Sequence, residues 1–170
     1  MNLKFTIHGL TPGRYRLTAN IPTPRPDANP WQLKSSVVQG RETVDMPIDL
    51  RDSADAVITF TDRVSELSGL VEDAGGHPAP EYHIVLFARD RIYWTPTSRR
   101  LRTVRPAADG KYTITHLPPG DYLMTAVTDI EPGEMFDPAF LDRLSRSSLA
   151  VAIAEGEKKA QDLRLNRQLP

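Results

Sequence analysis

The feature that most constrains the fold is a strand that runs into a tight Pro-Gly turn, followed by a second strand that opens with a tyrosine. It spans residues 112–127, with Pro119-Gly120 at the turn and Tyr122 just after it. Proline fixes φ and glycine tolerates backbone conformations that other residues avoid, so this pair marks a turn. Apolar side chains alternate with threonines before the turn, which is the period of a half-buried strand. The stretch therefore predicts antiparallel β structure.

A weaker copy of this stretch lies near the N-terminus, at residues 5–19. Five turn and core positions recur at a constant separation of 107 residues, namely Leu10/Leu117, Pro12/Pro119, Gly13/Gly120, Tyr15/Tyr122 and Ala19/Ala126. That separation is far too long for a solenoid repeat and is the size of one β-sandwich domain, roughly 100 residues. The chain is thus predicted to contain two related β units.

The tyrosine in each copy has the position of a tyrosine corner. In such a corner the ring packs in the core and the hydroxyl bonds backbone a few residues upstream. We therefore predict structural corners at Tyr15 with Gly13 and at Tyr122 with Gly120. The alternative, an ordinary buried tyrosine, is equally structural and changes nothing about function.

The position of the repeat predicts the domain organisation. Asp109-Gly110 is a strong hairpin signal between strands near 99–105 and 111–116. Its counterpart in the first copy is Asn2-Leu3, so that copy starts at its hairpin turn. We expect residues 1–54 to be the C-terminal part of a β-sandwich repeat, with the strands before the turn missing.

The remaining residues, 55–170, are predicted to form a complete β-sandwich that opens with a β-branched strand at 56–61. Asp137-Pro138 supplies an N-cap and a first helical residue. One short helix is therefore expected near 138–146. The predicted fold class is all-β, an antiparallel sandwich of the prealbumin-like or immunoglobulin-like kind, with one complete domain and a partial preceding copy.

Three motifs in residues 62–165 resemble the carboxypeptidase regulatory-like domain, also called transthyretin-like or prealbumin-like. They are Gly69-Leu70-Val71-Glu72-Asp73, Asp109-Gly110-Lys111-Tyr112 and Leu117-Pro118-Pro119-Gly120-Asp121-Tyr122. Tyr112 stands where the family more often has phenylalanine. The resemblance implies an accessory module of a secreted, periplasmic or cell-surface bacterial protein. It does not imply peptidase activity.

Composition excludes several function classes. A formal net charge of −1 gives no overall attraction to nucleic acid or to a membrane surface. The chain has no cysteine, which excludes disulfides, thiolate zinc sites and cysteine nucleophiles. No apolar run is long enough to cross a bilayer, and the N-terminal residues lack the apolar region of a signal peptide.

The search for chemistry finds no catalytic motif and no metal-binding motif. The four histidines are scattered on loops and strand ends, where they are usually solvated. Paired acids such as Glu155 and Glu157 fall on turns. We therefore expect no catalytic residue, no metal, no cofactor and no enzymatic activity.

One segment differs in composition from the rest of the chain. It comprises residues 89–105, and we call it the arginine loop. It contains six arginines and one acid, with Tyr93 and Trp94 between them. Arginine and exposed aromatic rings favour stacking and bidentate contacts. Candidate ligand-binding residues are Arg91, Tyr93, Trp94, Arg99 and Arg100. The alternative is a structural loop in which Trp94 packs on the core and the arginines pair with the protein's own acids.

These observations favour a non-catalytic structural or spacer module of a larger exported protein. The second hypothesis is a carbohydrate- or protein-binding module that uses the arginine loop, and an enzyme comes third. Expected partners are neighbouring domains of a longer chain or a second copy of this one. The incomplete first unit should leave strand edges and apolar faces open, and a symmetric dimer or a swapped assembly is the favoured way to cover them.

Overall fold

The computed structural model describes residues 4–21 and 31–165, and every structural statement below concerns those residues. It contains thirteen strands, one α-helix and two short 3-10 helices. The strands are β1 Gly13–Tyr15, β2 Gln32–Val38, β3 Arg41–Glu42, β4 Ile48–Leu50, β5 Ala56–Thr61, β6 Glu66–Glu72, β7 His83–Ala88, β8 Leu101–Val104, β9 Lys111–Thr115, β10 Gly120–Val127, β11 Leu149–Ile153, β12 Lys158–Ala160 and β13 Leu163–Arg164. The helix, α1, is Pro138–Ser145.

Residues 66–165 form a β-sandwich of two four-stranded sheets. One sheet has the order β11-β10-β7-β8. In the other, β6 lies between β9 on one edge and the short strands β12 and β13 on the opposite edge. All pairings are antiparallel except that β12 and β13 run parallel to β6. The predicted all-β sandwich is confirmed, with two parallel pairings that the sequence did not indicate.

The core between the sheets follows from side-chain alternation along the strands. Alternate side chains on a strand point to opposite faces, so every second residue faces the partner sheet. In β9 the buried residues Tyr112 and Ile114 alternate with the exposed Lys111, Thr113 and Thr115. The same cluster contains Leu67 and Val71 from β6 and Tyr122 from β10. These contacts account for most of the apolar burial that stabilises the sandwich.

Strand β7 is apolar on both faces because a second core covers its outer face. Val85 and Phe87 point away from the sandwich interior and pack with Phe140 and Leu141 of α1. The Asp137 side chain caps the helix by accepting a hydrogen bond from the Ala139 amide, at 2.9 Å. The helix predicted near 138–146 is confirmed, and it forms a third layer on one sheet.

The Asp109-Gly110 turn does not close a hairpin, so that prediction is wrong. Strand β8 pairs with β7, and β9 pairs with β6 in the opposite sheet. The turn therefore carries the chain from one sheet to the other. Pro106 stands just after β8, and proline cannot donate a ladder hydrogen bond, which helps to end that strand before a hairpin can form.

The first unit contains a copy of one strand pair of the sandwich. In β1 and β4, Gly13 is opposite Leu50 and Tyr15 is opposite Ile48. In β10 and β11, Gly120 is opposite Ile153 and Tyr122 is opposite Val151. The two pairs have the same register, which gives the sequence repeat a structural counterpart.

Strands β2, β3 and β5 form a separate three-stranded sheet with the order β3-β2-β5. Residues Ala56 to Thr61 of β5 pair with Gln32 to Val38 of β2 along almost their whole length. The strand that the sequence placed at the start of the second unit is therefore hydrogen-bonded to the first. The division at residue 54 remains a prediction, but this pairing crosses it.

Candidate functional site: the arginine loop

The arginine loop connects β7 to β8 and continues through β8 to residue 105. Asp90 begins its first turn by accepting a hydrogen bond from the Ile92 amide at 3.1 Å, and Arg91–Tyr93 forms a 3-10 helix. The loop then returns to the sheet at Leu101, which is buried. Its arginines and aromatic residues are thus held close to the edge of the sandwich.

Trp94 belongs to the second core, which covers the outer face of β7, and is only 7% exposed. Its indole Nε1 donates a hydrogen bond to the Ala88 carbonyl oxygen at 2.7 Å. Its ring meets the Phe87 ring edge-on, with a centroid separation of 5.6 Å. Arg91 lies over the indole ring at 5.3 Å and forms an ion pair with Asp142 of α1. The tryptophan therefore has neither a free face nor a free donor for a ligand.

Tyr93 is half-buried, and one face of its ring is covered by Arg100, whose guanidinium carbon is 4.7 Å from the ring centroid. The same guanidinium donates to the Pro119 carbonyl oxygen at 2.8 Å. A shallow depression of ≈ 340 Å³ adjoins this pair and also touches Asp121. The depression is bordered by Arg89 and Asp90, so its rim is polar.

Arg99 points away from the depression and into the first unit. Its backbone amide and its Nε donate to Oδ1 of Asp45 at 3.0 and 3.1 Å, and its Nη2 donates to Oδ2 at 3.2 Å. Its Nη1 donates to the Leu33 carbonyl oxygen at 2.7 Å. Nε of Arg100 lies 3.5 Å from Asp45 Oδ2. One carboxylate thus forms ion pairs with two arginines of the loop.

Asp45 is only 1% exposed, so its charge depends on these arginines. Burial alone would raise the pKa of this carboxyl, but the hydrogen bonds from Arg99 and the positive charges of Arg99 and Arg100 hold its pKa below the usual value. A buried carboxylate is tolerated only when it is paired and hydrogen-bonded. We call Asp45, Arg99 and Arg100 the junction cluster, because it joins the first unit to the sandwich.

Other contacts support the same junction. Lys34 of β2 forms an ion pair with Glu155 at 2.8 Å, and the Thr61 hydroxyl donates to the same carboxylate at 3.1 Å. The hydrogen bond from Lys34 is the largest of the causes that lower the pKa of Glu155. Arg16 donates to the carbonyl oxygen of Thr97, inside the arginine loop, at 2.8 Å. Residues of the first unit therefore contact both the arginine loop and the turn after β11.

The structure holds all five predicted ligand-binding residues in one loop, where each contacts other groups of the protein, although the Arg91 side chain remains 69% exposed. Sequence reasoning missed Asp45, which lies 54 positions before Arg99 and carries no local signal. The only signal in the sequence was the excess of arginine over acid in the loop. Six arginines with one acid favour ion pairs with carboxylates from other segments of the chain. Whether any of the five binds a ligand remains a prediction.

The two corner tyrosines make the same hydrogen bond. Tyr122 is fully buried, and its hydroxyl donates to the Pro118 carbonyl oxygen, four residues upstream, at 2.5 Å. Tyr15 is half-exposed, and its hydroxyl donates to the Thr11 carbonyl oxygen at 2.6 Å. Burial raises the pKa of Tyr122 to about 12 despite the nearby Arg100 charge, so the hydroxyl is protonated at neutral pH and able to donate.

A larger cleft of ≈ 850 Å³ lies between α1 and the end of the adjoining sheet. Tyr82, Phe140 and Leu144 form apolar parts of its wall, and Arg143 at its rim pairs with Glu134 at 3.6 Å. Within residues 4–21 and 31–165, no group of three or more His, Cys, Asp or Glu side chains is placed to hold a metal ion. Over the same residues, no helix is both long and apolar enough to span a membrane.

Comparison with known proteins gives structural similarity at low sequence identity. No protein-family model matches the chain, and no curated protein matches it. Among solved structures, the BcpA major pilin subunit of Bacillus cereus is 11% identical, with a TM-score of 0.44 over 67% of this chain and 33% of that one. A streptococcal ancillary pilin is 14% identical, with a TM-score of 0.44 over 91% of this chain and 45% of that one.

A third similar structure is the dioxygenase domain of a carbohydrate-binding fusion protein from Streptomyces sp. SirexAA-E. It is 15% identical, with a TM-score of 0.37 over 61% of this chain and 79% of that one. The chain spans less than half the length of either pilin. At these TM-scores, the sandwich assignment rests on the strand pairing and the core described above.

Proposed function

We propose that this chain is a non-catalytic structural module, in which the arginine loop serves as a docking point for the neighbouring unit. The observation that carries this proposal is the junction cluster, where a buried carboxylate of the first unit holds two arginines of the second. Separating the units would leave the Asp45 charge buried without its partners, which is costly, so the cluster favours one fixed arrangement of the two units. A spacer needs such rigidity.

The carboxypeptidase regulatory-like assignment and an exported location belong to this proposal. Both rest on the resemblance of the three sequence motifs, and the sandwich fold is compatible with them. Further domains of a longer chain are the expected partners of such a module. These domains would pack through contacts of the same kind as the junction cluster.

The second hypothesis, carbohydrate or protein binding by the arginine loop, has less support. A sugar-binding platform needs an aromatic face open to solvent. Trp94 is buried, and one face of Tyr93 is occupied by Arg100. A shallow depression beside Tyr93 is a place in the described part of the loop where such a ligand could lie against an aromatic ring.

The test compares two arginine variants of the intact protein by hydrogen exchange. Arg99→Ala should raise the exchange rate of amides in β2 and β5, because it leaves Asp45 buried with a weakened partner set. Arg105→Ala, at an exposed position of the same loop, is the matched control and should leave those amides unchanged. The result against a structural role would be a soluble glycan that binds the wild type and is lost in Tyr93→Ala.

A further inference from the structure

The cleft beside α1 lies at the end of the sandwich opposite the junction cluster. Strand β10 begins at Gly120, next to the Pro119 carbonyl that accepts a hydrogen bond from Arg100 of the junction cluster. The cleft adjoins the other end of the same strand, at residues 125–129. Its volume of ≈ 850 Å³ falls within the range of small-molecule sites, roughly 300–1,000 Å³. A ligand at this site is therefore separate from the arginine loop and from the proposed spacer function.

One buried polar side chain in the cleft has no partner within the described part of the protein. Thr125 is 4% exposed, lines the cleft and is opposite Val85 of β7. Because opposite residues of an antiparallel pair share a face, Thr125 lies on the face where Val85 packs with α1. Its hydroxyl makes no hydrogen bond to another group of residues 4–21 and 31–165. Buried hydroxyls are normally hydrogen-bonded, so the partner of this one belongs to the molecule that fills the cleft.

The wall near this hydroxyl is apolar and partly aromatic. Phe140 and Leu144 come from α1, and Tyr82 and Leu165 come from segments that pack on the core between the sheets. The Arg143 guanidinium carbon lies 5.5 Å from the centroid of the Phe140 ring, so the cleft already holds a cation against an aromatic face. A ligand must therefore present an apolar or aromatic body to this wall.

The charges that line the cleft are mostly negative. Asp73, Asp129 and Glu134 line it with a single arginine, Arg143, which pairs with Glu134 at 3.6 Å. Asp73 lies 3.4 Å from a nitrogen of His77. Within the described ranges, no lysine or arginine forms an ion pair with Asp73 or Asp129. The remaining negative charge favours a positively charged ligand.

Both of these carboxylates keep one oxygen for a ligand. Oδ1 of Asp73 accepts hydrogen bonds from the amides of His77 and Gly75, at 2.9 and 2.8 Å. Oδ1 of Asp129 accepts one from the Ile130 amide at 2.9 Å. None of these bonds uses Oδ2, so each carboxylate can still accept from a bound cation.

Charged residues next to the lining in the sequence do not reverse this balance. Within two positions of a lining residue there are four further acids and two further described arginines, namely Glu72, Glu81, Glu131 and Asp142, and Arg146 and Arg164. Two of these acids are paired, since Arg164 lies 3.5 Å from Glu72 and Arg91 pairs with Asp142. Arg167 lies outside the described residues, so the experiment tests it separately.

We propose that this cleft binds a small organic cation of the arylalkylamine class, in which an ammonium group is joined to an aromatic ring by a short chain. The carboxylates of Asp73 and Asp129 attract the ammonium, and the apolar wall contacts the ring. The Thr125 hydroxyl accepts a hydrogen bond from a donor of the ligand. The lysine side chain of a partner protein carries the same ammonium but lacks the ring, so the experiment separates these two sources.

The experiment is a nuclear magnetic resonance titration of the full chain with tryptamine at neutral pH. Amide shifts should concentrate in residues 125–129 and 140–147 and should saturate with a dissociation constant from about 10 μM to about 1 mM. Indole-3-propionate has the same ring and the opposite charge, and it should bind at least about tenfold more weakly. N-acetyl-lysine amide represents the lysine of a partner protein and should also bind at least about tenfold more weakly, because it lacks the ring.

Three variants locate the interaction. Asp129→Asn and Thr125→Val should each weaken tryptamine binding by about tenfold, because each removes one hydrogen-bonding or charged partner. Asp121→Asn is the matched control, since Asp121 is exposed at the opposite end of β10 and lies outside the cleft. It should bind tryptamine as the wild type does. Asp129 is exposed, so its variant should fold normally even if Thr125→Val does not.

Several outcomes contradict the proposal. They are shifts confined to the depression beside Tyr93, equal binding of indole-3-propionate or of N-acetyl-lysine amide, and unchanged affinity in Asp129→Asn. Arg167→Gln should leave the affinity unchanged, and about a tenfold gain would mean that the chain's own guanidinium is the cation that these carboxylates attract. None of these outcomes involves the junction cluster, so they leave the spacer proposal untouched.

Discussion

The hydrogen bond of the tyrosine corner is the same in both units, but its surroundings differ. Tyr122 donates to Pro118 inside the sandwich core, whereas Tyr15 donates to Thr11 on a half-exposed surface. A buried hydrogen bond lost without replacement costs about 1 kcal/mol net, and a solvated one costs less because water replaces the partner. The paired tyrosines therefore provide an internal comparison of the same contact in two environments.

We predict that Tyr122→Phe lowers the free energy of unfolding by about 1 kcal/mol, because the Pro118 carbonyl loses its donor inside the core. Tyr15→Phe should change it by less than half of that. Both are measured by urea unfolding at neutral pH, with a shift of the midpoint at constant slope as the readout. Equal effects of the two substitutions would contradict the role of burial.

Gly69 is required for a different reason, which is a close backbone approach. A Cβ added to it would lie 2.0 Å from the Gln161 carbonyl oxygen, which also accepts a hydrogen bond from the Tyr112 hydroxyl. This point lies between β12 and β13, where the pairing with β6 is interrupted. The glycine of the G-x-V motif thus lets the last strands run beside β6.

Gly69→Ala is therefore expected to destabilise the protein by about 3 kcal/mol, since backbone must shift to make room. Gly13→Ala is the control, because an added Cβ there meets its nearest atom at 3.4 Å. Thermal unfolding of both variants gives the comparison. A Gly69→Ala protein that unfolds at the wild-type temperature would show that β12 and β13 are loosely held.

At the scale of elements, the junction cluster joins the loop after β3 to the loop before β8. Removing one partner of a buried ion pair typically costs about 3–5 kcal/mol, because the other charge remains buried. The pKa of Asp45 is lowered in the folded protein. Its contribution to stability is therefore complete above the ordinary pKa of 3.8 and is lost as pH falls through the folded value.

We predict that Asp45→Asn lowers the free energy of unfolding by about 3 kcal/mol at neutral pH. Below pH 4 the difference from the wild type should shrink, because the Asp45 carboxylate becomes protonated in the unfolded chain before it does in the folded protein. Urea unfolding from pH 7 to pH 3 measures this, and Asp52→Asn, at an exposed position, is the control. A constant difference at every pH would mean that the charge of Asp45 is not what holds the junction.

The sequence predicted those elements whose cause is local. The corner turns, the alternation of β9 and the capped helix each depend on residues a few positions apart, and all appear in the structure. Strand β2 was not predicted, because QLKSSVV has no apolar alternation and one of its buried side chains is the polar Ser36. The predicted hairpin failed because pairing to β6 and β7 decides the sheets of β9 and β8.

The candidate site was predictable in its location but not in its contacts. An excess of arginine with two aromatic residues correctly marked a place where charged and apolar groups meet. Which acid neutralises Arg99 depends on how the first unit lies on the second, and residue spacing carries no information on that. The same long-range packing placed β5 beside β2, although its β-branched sequence suits either unit equally well.

At the scale of the whole molecule, the sandwich contains its own core. Both clusters of buried apolar residues draw only on positions from 67 to 165. By contrast, the described residues of the first unit expose Phe5, Ile7 and Leu10 and contribute to neither cluster. The second unit should therefore contribute more to the free energy of unfolding than the first, since a cooperative unit needs its own buried core.

We predict that a fragment comprising residues 63–170 folds cooperatively, whereas residues 1–62 alone do not. The fragment lacks Asp45, so Arg99 loses its partner and the acid-dependent loss of stability assigned to that carboxylate should disappear. Circular dichroism and urea unfolding at pH 7 and pH 3 measure both effects. A fragment comprising residues 55–170 is the control, because it retains β5 without its partner β2 and should aggregate more readily through that unpaired strand. An unfolded 63–170 fragment would show instead that the β2-β5 sheet and the sandwich fold as one cooperative unit.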